Sequence, residues 1–146
     1  MIVCMILSAN TTDRGCIEGT AALHAAGYLN LEKLRNATVE ELMAIIRVSG
    51  INEVKARYLI DMAKACDLKG GSLTLPETFE ALSAILGIGR KTAVLHMNEC
   101  YGFFYGIGSD SHVFELSMKW GFLVQDDRST QVKAEDAENA LREWKN

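Results

Sequence analysis

The sequence predicts an all-α domain, a bundle of short helices. Apolar residues recur at spacings of three and four along most of the chain. Helix-starting and helix-stopping residues bracket those stretches. No alternating apolar–polar run of useful length is present, although the aromatic-rich segment Gly102–Ile107 could be mistaken for one. With 146 residues, the chain suits one domain with a sizeable core.

Taken in order, Met1–Leu7 is a short apolar stretch, read as a buried helix end. Asp13 can cap a helix to about Ala26, with Ile17, Ala21 and Leu23–His24 as its apolar face and Gly27 as its stop. Asn30 can cap a turn over Leu31–Leu34. Thr38-Val39-Glu40-Glu41 is a capping box, followed by Leu42, Ile45 and Ile46 on one face. Asn52 can open a helix carrying Ala56, Leu59, Ile60 and Ala63, and Gly70-Gly71-Ser72 ends it. Pro76 sets the entry to a helix bearing Phe79, Leu82 and Ile85. Ser109 or Asp110 can start a helix with Val113, Phe114, Leu116 and Ser117, closed by Gly121. Ala134–Trp144 forms a last amphipathic helix.

The chemistry concentrates in Leu86-Gly87-Ile88-Gly89-Arg90-Lys91-Thr92-Ala93 and Ser109-Asp110-Ser111-His112. Two glycines one residue apart let the backbone turn through positive φ at little steric cost. Apolar residues at helical spacing on both sides make this a helix, tight hairpin and second helix, over about residues 79–100. Free N–H groups and the positive end of the second helix suit a phosphate. A P-loop fits poorly: Arg90 interrupts its pattern, and the lead-in is helical rather than a strand.

These segments resemble the helix-hairpin-helix DNA glycosylases, in particular the endonuclease III branch. That branch carries Leu-Pro-Gly-Val-Gly-Arg-Lys-Thr-Ala followed by Val-Asp-Thr-His; here Leu86 stands in place of the proline. Upstream, Leu7-Ser8-Ala9-Asn10-Thr11-Thr12-Asp13 is similar to the family's Leu-Ser-Ala-Gln-x-Thr-Asp. Ser49-Gly50-Ile51-Asn52-Glu53-Val54-Lys55-Ala56 is similar to its Gly-Leu/Ile-x-x-x-Lys-Ala loop. The four matches cover residues 1 to about 121 in the family's order.

The resemblance implies a base-excision repair enzyme acting on double-stranded DNA with damaged bases or abasic sites. It implies Lys91 as the nucleophile that attacks C1′, displaces the base and leaves a Schiff base permitting strand cleavage. An amine attacks only when neutral, so its pKa must fall from about 10.4. It implies Asp110 as the carboxylate facing the positive charge that develops on the sugar; by residue type Asp110 is equally a helix cap. Gly87, Ile88 and Gly89 would hold DNA phosphate through backbone N–H groups, beside Arg90. Asn10 and Ile51 match positions that fill the gap left by an everted nucleotide, and His112 follows the aspartate as in the family. A lysine at position 91 points to the oxidised-pyrimidine branch rather than the adenine-mismatch branch. The competing readings are a non-catalytic DNA-binding module or inactive fragment, and a helical interaction domain with a coincidental motif.

Relatives continue into two further helices and four cysteines that hold an iron–sulfur cluster. Cys4, Cys16, Cys66 and Cys100 are scattered with no C-x-x-C pair, so free thiols, no metal site and no cofactor are expected in this chain. Glu115 stands where many relatives have Arg. The resemblance implies a core incomplete at both ends, and predicts exposed apolar faces at Ile2, Val3, Met5 and Ile6 and at Leu141 and Trp144.

The net charge of −4 argues against strong non-specific DNA binding. Its distribution softens that objection: residues 51–95 carry six basic and five acidic groups, whereas residues 96–146 carry five and nine. No apolar run approaches the ~18 residues of a membrane span. The expectation is a monomeric intracellular protein, in the nucleus or mitochondrion of a eukaryote or the cytoplasm of a prokaryote.

Overall fold

The computed structural model describes residues 1–102, 104–122, 137–139 and 141. The chain divides into two compact units, Met1–Gly89 and Arg90–Asn146.

The first unit contains α1 (Ile2–Ser8), α2 (Asp13–Ala25), α3 (Leu31–Arg35), α4 (Val39–Ile45), a 3-10 turn (Arg47–Ser49), α5 (Asn52–Lys64), strands β1 (Asp67–Lys69) and β2 (Ser72–Thr74), and α6 (Phe79–Ser83). Helix α5 packs against α3, α4 and α1, and α1 packs against α2. The core is aliphatic: Leu7, Leu23, Leu34, Leu42, Ile46 and Leu59 are fully buried. Each such side chain is worth roughly 1.5–3 kcal/mol relative to exposure.

Several ends follow the caps in the sequence. Thr38 accepts from the Glu41 N–H at 3.2 Å, and the Glu41 carboxylate accepts from the Thr38 N–H at 2.9 Å, completing the capping box of α4. Asn30 caps α3 by accepting from the Lys33 N–H at 3.0 Å. Helix α2 is capped by Thr12 rather than Asp13. Its buried face is also rotated from the expected one. Gly15, Cys16, Gly19 and Leu23 face inward, while Ile17 is 66 % exposed and Ala21 and His24 are exposed. The reason is close approach. A Cβ at Gly15 would lie 2.8 Å from the Val48 carbonyl oxygen, and one at Gly19 would lie 3.3 Å from Ser49 Cβ. The bare backbone of α2 therefore lies against the 3-10 turn, and Ile17 is turned outward.

The all-α expectation misses one element. Strands β1 and β2 pair antiparallel with Leu68 opposite Leu73, around Gly70 (φ +57) and Gly71 (φ +85). Positive φ at both central residues is the signature of a two-residue type I′ hairpin turn. The glycines read as a helix stop are thus a β-turn, after α5 has already ended at Lys64. The fold remains a mostly helical bundle. At the chain start, Ile2 and Ile6 are each 3 % exposed. The expected apolar face is therefore packed inward there, with Val3 and Met5 half-buried.

The second unit contains α7 (Arg90–Tyr101) and α8 (Ser111–Lys119), with further helical residues at 137–139 and 141. Ala93, Val94 and Met97 form the buried face of α7. On α8, Ser117 is buried, whereas Leu116 is 43 % exposed instead of part of the core. Most of the expected Ala134–Trp144 helix, Trp144 included, lies outside the described residues; Leu141 is half-buried.

Candidate active site

Lys91 and Asp110 are 19 positions apart in sequence, and the second unit brings them into contact. Lys91 lies in the first turn of α7, and Asp110 is the N-cap of α8. The Lys91 ammonium donates to Asp110 Oδ2 at 2.7 Å. Oδ1 of the same carboxylate accepts from the His112 and Val113 N–H groups at 3.0 and 3.1 Å. Asp110 is therefore a helix cap and the partner of the amine at once. The cap fixes one oxygen, and the other is presented to Lys91. The hydrogen bond from Lys91, aided by the backbone donors, holds the Asp110 carboxyl below its ordinary range. Both side chains remain partly open, 46 % for Lys91 and 31 % for Asp110.

The loop returning to Asp110 is tied to α7 by Asn98, which the sequence reading passes over. Its Nδ2 donates to the Gly106 carbonyl at 2.9 Å, and its Oδ1 accepts from the Tyr105 N–H at 2.8 Å. Gly108 lies so close to α7 that a Cβ there would be 2.7 Å from Leu95 Cγ. Asn98 follows Lys91 by seven residues and so shares its helical face, the one sequence signal that could have found it.

Arg90, expected to face DNA, donates from Nη2 to Glu138 Oε2 at 2.9 Å. Glu138 is 1 % exposed, and a buried carboxylate needs such a partner. The His112 side chain is exposed, and the backbone N–H of His112 donates to Asp110.

The hairpin residues Gly87 to Gly89 close the first unit. Gly87 adopts φ +88, and a Cβ on it would lie 2.3 Å from Tyr58 Cγ, so both conformation and packing demand glycine. Gly89, expected to share the positive φ, does not. Ile88 is buried, and its N–H donates to the Ile85 carbonyl at 3.0 Å.

Asn10 and Ile51 also lie in the first unit. They are the two non-glycine residues with positive φ among the described residues, at +49 and +46. For a β-branched residue that conformation is strained, at about 1–3 kcal/mol. Ile51 is nevertheless 53 % exposed, so no buried contact accounts for the choice. A Cβ on Gly50 would lie 3.7 Å from the Asn10 carbonyl, which makes the two turns neighbours.

Among the described residues, no group of three or more His, Cys, Asp and Glu side chains is arranged to hold a metal ion. The Cys66 thiol donates to the Met62 carbonyl, and Cys100 lies 3.4 Å from His96 Nδ1. All four cysteines are free. No described helix is long and apolar enough to cross a membrane.

The family model for HhH-GPD superfamily base excision DNA repair proteins matches residues 3–144. The chain belongs to this superfamily. Among curated relatives of this HhH-GPD chain, an endonuclease III homolog of Encephalitozoon cuniculi is 29% identical over 99% of this chain and 64% of its own length. Endonuclease III of Rickettsia conorii is 31% identical over 86% of this chain and 59% of its own. Among solved structures, a trapped endonuclease III–DNA covalent intermediate superposes with TM-score 0.80 at 26% identity. A non-covalent endonuclease III–DNA complex superposes with TM-score 0.81 at 27% identity. Each match covers 97% of this chain and 63% of that one. The HhH-GPD chain thus spans less than two thirds of the length of these relatives.

Proposed function

We propose that this chain is a DNA glycosylase with abasic-site lyase activity, which removes damaged bases, oxidised pyrimidines in particular, from double-stranded DNA. The observation that carries this reading is the 2.7 Å contact between Lys91 and the capping carboxylate of Asp110. An amine is the group that can displace a base and keep the sugar as an iminium. In this mechanism the lysine nitrogen, having lost a proton, forms a bond to C1′. The C1′–base bond breaks, its electrons leave with the base, and the base takes up a proton. The C1′–O4′ bond then opens as the nitrogen lone pair forms a C1′=N bond, O4′ takes up the proton the nitrogen releases, and the resulting Schiff base permits strand cleavage.

Asp110 acts mainly through its charge. A carboxyl held below the ordinary range is a weak base, but it stays ionised opposite the positive charge developing on the sugar. The backbone of the Gly87–Gly89 turn grips phosphate. Because the Ile88 N–H is committed to Ile85, Gly87 and Gly89 supply the donors. Asn10 and Ile51 fill the space left by the everted nucleotide. The chain works as a monomer, without a cofactor, where the cell keeps its DNA: the nucleus or mitochondrion of a eukaryote, or the cytoplasm of a prokaryote.

The alternative, a DNA-binding module without catalysis, keeps the hairpin grip on phosphate but not the chemistry of Lys91; the Arg90–Glu138 ion pair and the net charge of −4 weigh against tight binding in either reading. Borohydride reduction in the presence of duplex DNA with an abasic site decides between the two. The glycosylase reading expects a covalent protein–DNA adduct that Lys91→Gln abolishes. Salt-sensitive DNA binding without an adduct would establish the binding module instead.

A further inference from the structure

Lys55 is a charged residue of the first unit and is only 3 % exposed. Its ammonium donates to the Leu7 carbonyl at 2.8 Å and also to the Ser49 carbonyl. Its own N–H donates to the Ile51 carbonyl at 3.2 Å. Among the described residues no carboxylate pairs with it; burial lowers its pKa, opposed only in part by the nearby Cys16 thiol. A buried charge held only by backbone carbonyls is expensive, and an uncharged residue would fill the same space with less penalty.

The two carbonyls explain the choice. Leu7 lies in the last turn of α1, and Ser49 ends the 3-10 turn. Both belong to the carbonyl end of a helical segment, where acceptors lack partners and the helix dipole favours a cation. Immediately beyond these ends stand Asn10, three residues after Leu7, and Ile51, two after Ser49. Those are the two residues at positive φ. One ammonium thus joins the stems of both strained turns, while Gly15 and Gly19 let the backbone of α2 close over the 3-10 turn.

We propose that Lys55 is a positioning residue that ties the end of α1 to the 3-10 turn and so fixes the spacing of Asn10 and Ile51 for filling opened duplex DNA. The inference rests on the glycosylase reading above. It makes Lys55 act through those two residues and not on the sugar. Loss of the clamp should therefore matter where a base stack must be opened, and should matter little where none exists.

The experiment measures the single-turnover rate of borohydride-trapped adduct for the unaltered chain, Lys55→Gln and Lys55→Arg. Each is assayed on duplex abasic DNA and on a single-stranded abasic oligonucleotide, with cooperative melting as the folding check. Lys55→Gln is expected to lose about tenfold on duplex and less than about twofold on single strand. Lys55→Arg, which keeps the charge and the donors, should recover part of the duplex rate. In an Ile51→Ala background, the duplex loss caused by Lys55→Gln should shrink to within about twofold, because the group being positioned is already gone.

An unchanged duplex rate overturns the inference, as does an equal loss on both DNAs or a loss undiminished in the Ile51→Ala background. If Lys55→Gln does not melt cooperatively, the split between the two DNAs is read from Lys55→Arg. Failure of both variants to fold would assign Lys55 to stability alone. No adduct from the unaltered chain on either DNA would overturn the glycosylase reading itself, an outcome distinct from all of these.

Discussion

In the first unit, Asn10 and Ile51 sit at positive φ above a buried ammonium that grips the backbone beneath them. In the second, Lys91 in the first turn of α7 and Asp110 at the N-cap of α8 hold each other through partly exposed charge. The first arrangement stores strain and depends on packing. The second is held by one capped carboxylate. The first pair of residues is fixed through backbone conformation, the second through a side-chain ion pair anchored on a helix cap. Substitutions in the two regions should therefore fail in different ways.

The largest effect is expected at Lys91. Lys91→Gln should lower adduct formation by more than about 1,000-fold while leaving the melting transition within about 1 kcal/mol, because a half-exposed lysine contributes little to stability. Adduct yield from the variant equal to that of the unaltered chain would transfer the chemistry to another amine.

Asp110→Asn should come next. The rate of base release should fall by about 100- to 1,000-fold with DNA affinity changed less than about threefold, since charge on the sugar develops mainly in the transition state. Equal losses in affinity and rate would reduce Asp110 to a helix cap.

Gly87→Ala tests the backbone side of the comparison. A Cβ 2.3 Å from Tyr58 Cγ, at φ +88, should cost about 2–4 kcal/mol in denaturant unfolding. Gly89→Ala, with open space around the new atom, should cost less than about 1 kcal/mol. Similar losses at the two positions would show that the tight turn is not where the structure places it.

The sequence was legible where short-range chemistry decides. The capping box at Thr38, the Asn30 cap and the Asp110 cap all rest on residues within three positions of each other. Lys91 and Asp110 stood out because amine and carboxylate both lay in segments resembling one family. What escaped notice depends on close approach or on burial of charge. Half of the inward face of α2 is glycine, Gly15 and Gly19, which a search for apolar residues skips in favour of Ile17. Lys55 and Glu138 are buried charges whose partners lie 48 positions away in sequence, Leu7 for Lys55 and Arg90 for Glu138, and a sequence pattern treats such residues as solvated. The strands β1 and β2 are three residues each, too short to show alternation.

Acid should act on the second region through Asp110. The Asp110 carboxyl is held below its ordinary pKa of 3.8 by Lys91 and the cap donors. A depressed carboxyl contributes stability that is complete above the unfolded pKa and is lost as pH falls through the folded one. The loss therefore belongs below pH 3.8. Unfolding curves taken from pH 5 downward should show it in the unaltered chain and lack that component in Asp110→Asn. The same slope in both would place the titrating group elsewhere.

The smallest change in stability, and the sharpest separation of the two regions, is expected from Ile51→Gly. Positive φ at a β-branched residue costs about 1–3 kcal/mol in the folded state. Glycine removes that cost but gains about 0.4–1 kcal/mol of unfolded-state freedom, which offsets part of it. Since Ile51 is 53 % exposed, little burial is lost. The balance is a chain as stable as the unaltered one, or more stable by about 1 kcal/mol. Its adduct rate on duplex abasic DNA should nevertheless fall about tenfold, with the single-stranded rate unchanged, because the filling side chain is gone. That combination, stability kept or gained with duplex activity lost, is what a residue strained for function should give. A destabilised variant with unchanged duplex rate would mean that Ile51 is held at φ +46 for folding, and the contrast between a backbone-fixed and a charge-fixed region would fail at its first member.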